Sequence, residues 1–187
     1  MDYRIPQRLE TQRLTLRTFR EADWRDLHAY YSDPECTRHT VGKPLREAAT
    51  WQVLASMIGH WEMRGYGPYA VVERASGRVI GPVGLWYPLD WPEPEIKWAL
   101  ARDYWGRGYA LEAALAVREM AAEQLPDIRL ISLIQAENRA SIALAERIGA
   151  MFERTLAFRG GVWHLYRHQQ QTAGEDSCNG SGATGDY

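Results

Sequence analysis

Apolar and polar residues alternate in several short stretches of the chain, a pattern typical of half-buried β-strands. The first stretch reads Arg13-Leu14-Thr15-Leu16-Arg17-Thr18-Phe19. Later, the turn residues 75–77 (Ala-Ser-Gly) separate two further runs, which predicts a β-hairpin. The predicted strands span residues 13–19, 69–74, 78–87, 95–100, 128–134, 152–158 and 162–166.

Four longer segments have apolar residues at helical spacing, and we predict helices over residues 21–31, 44–64, 111–124 and 138–148. Pro44 lies near the start of the second helix, and Gly65 follows its end. Asn138 is a favourable N-cap for the last helix, which Gly149 closes.

This order of elements predicts an α/β (α+β) fold with a mixed, mostly antiparallel sheet of about seven strands and helices on both faces. A helix connects strand 95–100 to strand 128–134, so these two are expected to be parallel neighbours with a right-handed crossover. Residues 1–168 are expected to form one domain. Residues 169–187 are mostly Gln, Gly, Ser, Asp and Asn, which predicts a disordered tail.

Charge and composition exclude several classes of function. The formal net charge of −2 does not suggest a nucleic-acid partner, which usually requires a basic surface. No apolar run is long enough to span a membrane, and residues 1–4 do not resemble a signal peptide. Cys36 and Cys178 are too few for a disulfide framework or a zinc site. A cytoplasmic protein is therefore the default expectation.

A glycine-containing loop, Tyr104-Trp105-Gly106-Arg107-Gly108-Tyr109-Ala110, lies between a predicted strand and a predicted helix. In such loops, backbone N–H groups and a helix N-terminus often converge on an anion, most often a phosphate. The spacing matches neither the dinucleotide-binding motif nor the P-loop. A sharp turn that caps the helix explains these residues equally well.

Four segments in the same order resemble the GNAT superfamily of acetyl-CoA-dependent N-acetyltransferases, and within it the RimJ/RimL type that acetylates ribosomal-protein N-termini. The resemblance covers about residues 8–168. It rests on residues 9–17, on residues 95–100, on the glycine loop with residues 111–113, and on 138–141 with 146–149.

The resemblance implies that acetyl-CoA is the co-substrate and that the sheet is splayed at its centre to admit the pantetheine arm. The backbone near Trp98 and Leu100 would bind that arm, together with Asn138 and Ser141. The pyrophosphate would be held by residues of the glycine loop, namely Trp105, Gly106, Arg107, Gly108, Tyr109 and Ala110. Trp105 replaces the Gln or Arg of the superfamily pattern, so the amides and Arg107 would contribute more.

Acetyl transfer requires a base for the ammonium group and an acid for the departing thiolate. Glu95 is the candidate base, because it begins the central strand where the resemblance implies a carboxylate. A solvated strand end is the alternative interpretation of Glu95. Ser141 is the candidate acid, since the tyrosine of many superfamily members is replaced by Ala145. A serine that satisfies a backbone amide at the helix start is the alternative there. No metal is expected.

The loop before the central strand is rich in aromatic residues and carboxylates, which together favour a cation. We expect Trp86, Tyr87, Asp90 and Trp91 to line the entrance for the amine, although a surface hairpin with buried tryptophans is also consistent. The acceptor remains open between a protein N-terminus, a polyamine and an aminoglycoside-type antibiotic. An acyl-CoA-binding module without turnover is the alternative class, and the chain is expected to be a monomer or a homodimer.

Overall fold

The computed structural model describes residues 3–169. Helices and strands follow one another along the chain in nearly the order that the sequence pattern predicts. Their bounds are β1 Arg8–Glu10, β2 Leu14–Arg17, α1 Trp24–Tyr31, α2 Pro34–Thr37, α3 Glu47–Arg64, β3 Pro68–Glu73, β4 Val79–Trp86, β5 Glu95–Trp98, α4 Tyr109–Gln124, β6 Ile131–Gln135, α5 Arg139–Arg147, β7 Ala150–Phe158 and β8 Gly161–His168.

Within residues 3–169 the strands form one 8-stranded sheet in the order β1-β2-β3-β4-β5-β6-β8-β7. Every neighbouring pair is antiparallel except β5 and β6, which are parallel and connected through α4. The predicted parallel pair and the mixed, mostly antiparallel sheet are therefore confirmed.

Two layers of helices cover the sheet. Helices α1 and α3 pack on one face, where Leu27 and Leu54 meet Ala70 and Ala99. Helix α4 packs on the other face, and its row of small residues around Ala113 allows close approach to the apolar side chains of the sheet. Alternate residues of β5 therefore face different helical layers.

The sheet has one more strand than the sequence pattern predicted. The additional strand, β1, is only three residues long and pairs with β2 at the outer edge, so it lacks a readable alternation. Helix α2 was also missed. Asp33 caps this short helix and Pro34 occupies its first turn, so the dipeptide that ends α1 also begins α2.

Several boundaries differ from the predictions by a few residues. Helix α3 begins at Glu47 rather than near Pro44, because Arg46 is still extended. Helix α4 begins at Tyr109, earlier than residue 111, and β6 begins at Ile131 rather than at residue 128. The predicted tail lies, apart from Gln169, outside the described residues.

Candidate active site

The central feature of the site is the separation of β5 from β6. The register contains one residue pair, Glu95 with Ile131. Beyond that pair, hydrogen bonds that involve side chains take the place of backbone hydrogen bonds between the two strands. The N–H of Leu133 donates to Oε2 of Glu95 (3.2 Å), and Oγ of Ser132 donates to the carbonyl of Ile96 (2.8 Å). The predicted splaying of the sheet at its centre is therefore confirmed.

The backbone of β5 presents alternate residues to this gap. The N–H of Ala99 donates to the carbonyl of Pro82 in β4 (2.9 Å), so the flanking residues Trp98 and Leu100 direct their backbone groups toward the β6 side. The carbonyl of Leu100 accepts a hydrogen bond from the indole of Trp105 (2.7 Å). Trp105 thus fastens the glycine loop to the end of β5, a role that the sequence did not suggest.

A cavity of about 660 Å³ opens beside the gap. Its walls come from β4, β5 and β6, from α1 and α3, from the segment 39–42, from the start of α5 and from the β7–β8 hairpin. The predicted site residues that line it are Trp86, Trp91, Glu95, Trp98, Asn138 and Ser141. Tyr87, Asp90, Leu100 and the glycine loop lie outside its lining.

Glu95 is buried, with 5% of its surface exposed, although it lines the cavity. Burial raises the pKa of its carboxyl to about 7, while the charges of Lys97 and Arg159 and the N–H of Leu133 act in the opposite direction. The indole N–H of Trp91 makes no hydrogen bond within the described residues, yet it lies close enough to lower the same pKa. The alternative interpretation of Glu95 as a solvated strand end is wrong.

Ser141 lines the same cavity as Glu95, from the first turn of α5. Oδ1 of Asn138 accepts a hydrogen bond from the N–H of Ser141 (3.2 Å), so Asn138 caps the helix as predicted. Oγ of Ser141 accepts from the indole N–H of Trp98 (3.2 Å) rather than satisfying a backbone amide. Since the indole is a donor only, the hydroxyl hydrogen of Ser141 remains able to donate.

The glycine loop has the geometry of an anion site. Gly106 and Gly108 have positive φ values of 72° and 78°, which disfavour any residue with a Cβ. Gly108 is the N-cap of α4, and no side chain caps the helix. A Cβ on Gly106 would meet nothing within 4 Å. The first N–H groups of α4 therefore lack a side-chain cap, and the space beside Gly106 is open, as a bound anion requires.

Contacts from the turn between β1 and β2 hold this loop in place, and sequence reasoning missed them. Glu112 accepts hydrogen bonds from Oγ1 of Thr11 (2.6 Å), from the N–H of Arg13 (2.8 Å) and from Nε of Arg13 (2.7 Å). Nη1 of Arg13 also donates to the carbonyl of Arg107 (2.8 Å). Glu112 is thus an anchoring carboxylate and not a solvated one. The sequence did contain a signal for these contacts, because Thr11 and Arg13 belong to residues 9–17, one of the segments that carry the family resemblance.

Comparison with known proteins decides the family. The model of the acetyltransferase (GNAT) domain matches residues 13–151. The chain belongs to the GNAT acetyltransferase family. An acetyltransferase from Agrobacterium tumefaciens str. C58, of known structure, is 36% identical with a TM-score of 0.77, and the match covers 89% of this chain and 95% of that one. The predicted family is confirmed, and the protein is an acyltransferase.

Two further relatives of this GNAT protein are informative. An uncharacterized N-acetyltransferase, p20, of Bacillus licheniformis is 28% identical over 150 residues, covering 79% of this chain and 84% of the relative. RimL, a ribosomal L7/L12 α-N-protein acetyltransferase solved with coenzyme A, has a TM-score of 0.70 at 18% identity, covering 88% of this chain and 96% of that one. At that identity, the likeness to RimL shows the fold alone.

The aromatic loop of this acetyltransferase is tied to its surroundings. Trp86 stacks on the ring of His60 (4.7 Å between centroids), and the N–H of Tyr87 donates to Nε2 of the same histidine (2.9 Å). Asp90 forms an ion pair with Arg159 of the β7–β8 hairpin (2.7 Å), and that guanidinium lies over the ring of Trp91 (4.5 Å). The hairpin therefore covers one side of the cavity entrance.

Residues 3–169 contain no cluster of three or more His, Cys, Asp or Glu side chains arranged to hold a metal ion. In the same part of the acetyltransferase, no helix is long and apolar enough to cross a membrane.

Proposed function

We propose that the protein transfers the acetyl group of acetyl-CoA to a primary amine by direct attack in a ternary complex. The observation that carries this proposal is Glu95, a buried carboxyl with a pKa of about 7 that lines a cavity at the opening of the sheet. A general base works best when its pKa lies near the operating pH. The RimJ/RimL resemblance makes a protein N-terminus one candidate acceptor, and the cavity equally suits a small amine.

The residues around the gap fit acetyl-CoA, which would supply the thioester. Uncapped amides at the N-terminus of α4, with Gly106 and Gly108, would hold the pyrophosphate, with the backbone of Trp105, Arg107, Tyr109 and Ala110 nearby. Tyr109 would contribute through its backbone, since its hydroxyl is bonded to Glu73 (2.6 Å). The gap-facing backbone of Trp98 and Leu100 would bind the pantetheine arm as an added strand does, with Asn138 on the opposite side.

Two side chains would move the protons. Glu95, ionised above its pKa, takes a proton from the acceptor's ammonium group, so that a neutral nitrogen can attack. Ser141, whose oxygen is held by the indole of Trp98, donates its hydroxyl proton to the departing sulfur. The nitrogen that has attacked loses its second proton as the amide forms, and this proton returns to Ser141 through water. A general acid or base of this kind contributes about 10²–10⁴-fold in rate.

On the acceptor side, Trp86 and Trp91 would contact the substrate directly. Tyr87 and Asp90 would act as positioning residues. Tyr87 fixes the start of the loop through His60, and Asp90 holds Arg159 over Trp91. Apolar walls on this side would also exclude water from the reacting groups.

The test measures coenzyme release with a thiol reagent, and acetylated products by mass spectrometry, across a panel of peptides and small amines. For an accepted amine, kcat/KM should rise with pH through about 7 as Glu95 ionises, and Glu95→Gln should remove this rise and lower turnover about 10²–10⁴-fold. Glu123→Gln, at an exposed position on α4, is the matched control and should behave as the wild type.

Calorimetry separates turnover from mere binding. Glu95→Gln should bind acetyl-CoA as the wild type does, because the substitution keeps an oxygen acceptor for Leu133. Tight binding of acetyl-CoA without release of coenzyme for any amine would favour a binding module and refute the proposal. Equal rates for Glu95→Gln and the wild type would refute the role of Glu95 alone.

A further inference from the structure

The cavity lining carries more positive charge than the carboxylate-rich loop before β5 suggests. Its lining includes two basic side chains, Lys97 and Arg159, and one carboxylate, Glu95. Asp90, outside the lining, is paired with Arg159, so the charge of that arginine is offset. Glu93 is also unavailable, because both its oxygens accept from Arg167 (2.6 and 2.7 Å). Both carboxylates of the loop before β5, Asp90 and Glu93, therefore bind arginines, and Lys97 has no ion-pair partner.

Lys97 is half-buried in the cavity wall, and its side chain has no hydrogen bond or ion pair within residues 3–169. Its Nζ lies 4.8 Å from the ring centroid of Trp86, and the ring of Trp86 stacks on His60 with 4.7 Å between centroids. Directly across the strand pair is Gly84, which has no side chain to occupy the space. Of the 22 Lys and Arg residues in the chain, only Lys43 and Lys97 are lysines.

Apart from its position over the ring of Trp86, the ammonium of Lys97 has no side-chain partner within residues 3–169, so its N–H groups are available to an anion. Burial lowers the pKa of Lys97, and the charge of Glu95 acts in the opposite direction. The two groups nevertheless do not form an ion pair within 4.0 Å. The arrangement thus fits a second, negatively charged group that arrives with the substrate.

The pyrophosphate of the coenzyme does not explain this lysine. Lys97 is two residues from both Glu95 and Ala99, so it faces the layer of α1 and α3. The glycine loop and the N-terminus of α4 belong to the other face, toward which Ile96 points. The anion that Lys97 could bind therefore enters on the acceptor side of the sheet.

The position of Lys97 relative to Glu95 defines the acceptor. Both side chains project from the same face of β5 two residues apart, a separation of about 6.5–7 Å along the strand. A single small molecule can therefore present its amine to Glu95 and an anion to Lys97. A polyamine would instead bring a second cation against Lys97.

We propose that the acceptor is a small primary amine that also carries a carboxylate, and that Lys97 binds this carboxylate while Glu95 receives the amine. The inference rests on the proposed function, whose acceptor class it narrows. Lys97 is in this role a specificity-determining residue.

The experiment compares matched substrates that differ only in the anion. Phenylalanine, phenylalaninamide and 2-phenylethylamine form one set, and leucine with its amide and decarboxylated amine form a second. The rates are compared across a range of pH, because the three amines have different pKa values. β-Alanine and γ-aminobutyrate vary the separation of amine and carboxylate, and spermidine tests the polycation.

The wild type should prefer the amino acid in at least one set. At a pH well above 7, where Glu95 is ionised with or without the charge of Lys97, Lys97→Met should raise KM for that amino acid about 10- to 100-fold, as expected for losing a hydrogen bond between charged groups, and leave the amide within about twofold. Lys43→Met, the same substitution at an exposed lysine, should change neither substrate. Thermal melting of both variants verifies that they are folded.

Three results would overturn the inference. One is an equal loss for amino acid and amide in Lys97→Met, which would give the lysine a structural role. Another is a wild-type preference for the amide, the decarboxylated amine, a peptide or spermidine throughout. That result would leave the proposed acetyl transfer standing and contradict only the requirement for a carboxylate on the acceptor. A complete absence of coenzyme release would overturn the proposed function together with this inference.

Discussion

A pair of glycines with the same backbone conformation allows a direct test of the pyrophosphate loop. Gly106, in the loop, has a φ of 72°, and Gly77, in the turn between β3 and β4, has a φ of 71°. At neither position would an added Cβ meet an atom within 4 Å. Gly106→Ala and Gly77→Ala therefore introduce the same backbone strain and no collision with the protein.

The two substitutions should have equal effects on stability. A left-handed conformation costs a non-glycine residue about 1–2 kcal/mol. For a domain of this size, that corresponds to a fall in Tm of about 2–8 °C. Only Gly106→Ala should affect acetyl-CoA. Misplacing one amide that binds a phosphate removes about 1.5–3 kcal/mol, which raises Kd about 10- to 150-fold.

The assay combines thermal melting with titration calorimetry of acetyl-CoA against both variants. A matched fall in Tm with a selective loss of affinity in Gly106→Ala would support the loop assignment. If Gly106→Ala binds acetyl-CoA as tightly as Gly77→Ala does, the amides around residue 106 do not hold the pyrophosphate, and the loop is only a turn that begins α4.

Three further changes test other parts of the site. Ser141→Ala should lower kcat about 10²-fold with unchanged affinity for acetyl-CoA, and unchanged kcat would remove the serine from proton transfer. Glu112→Gln should weaken coenzyme binding by loosening Arg13 from the loop, and calorimetry showing wild-type affinity would contradict this. Folding raises the pKa of Glu95 from 4.5 to about 7, so its stabilising contribution is complete below pH 4.5 and is lost as pH rises through 7. The free energy of unfolding of Glu95→Gln relative to the wild type should therefore increase by about 2–3 kcal/mol between pH 5 and pH 8 in urea titrations. A difference that stays constant with pH would show that burial does not raise the pKa of Glu95.

Local sequence patterns predicted most of the fold because alternation and helical spacing are set by which face of each element is buried. The parallel pair of β5 and β6 followed from the helix between them. The glycine loop before α4 followed from two glycines that lie between a predicted strand and a predicted helix. Strand β1 was missed since three residues at a sheet edge carry no periodic signal.

The environments of the site residues could not be predicted in the same way. Glu95 follows a proline-rich loop and resembles a solvated strand end in sequence, yet β6 and the β7–β8 hairpin bury it. Asp90 resembled a free carboxylate because its partner, Arg159, is 69 residues away along the chain. Such contacts depend on tertiary structure, so sequence identifies the residue types at the site but not which charges remain unpaired.

The opening of the sheet and the raised pKa of Glu95 have a common physical origin. A continuous ladder between β5 and β6 would pair the N–H of Leu133 and the carbonyl of Ile96 with backbone partners. Instead, the carboxylate of Glu95 and the hydroxyl of Ser132 satisfy these two groups, which lets the strands separate without leaving them unpaired. The same arrangement removes the carboxylate from water, which raises its pKa toward neutrality, while the hydrogen bond from the N–H of Leu133 opposes that rise. Glu95→Gln should therefore keep the gap open while removing the base, whereas Glu95→Ala would also leave the N–H of Leu133 without its acceptor. Comparing the two variants separates the chemistry of Glu95 from its part in the architecture.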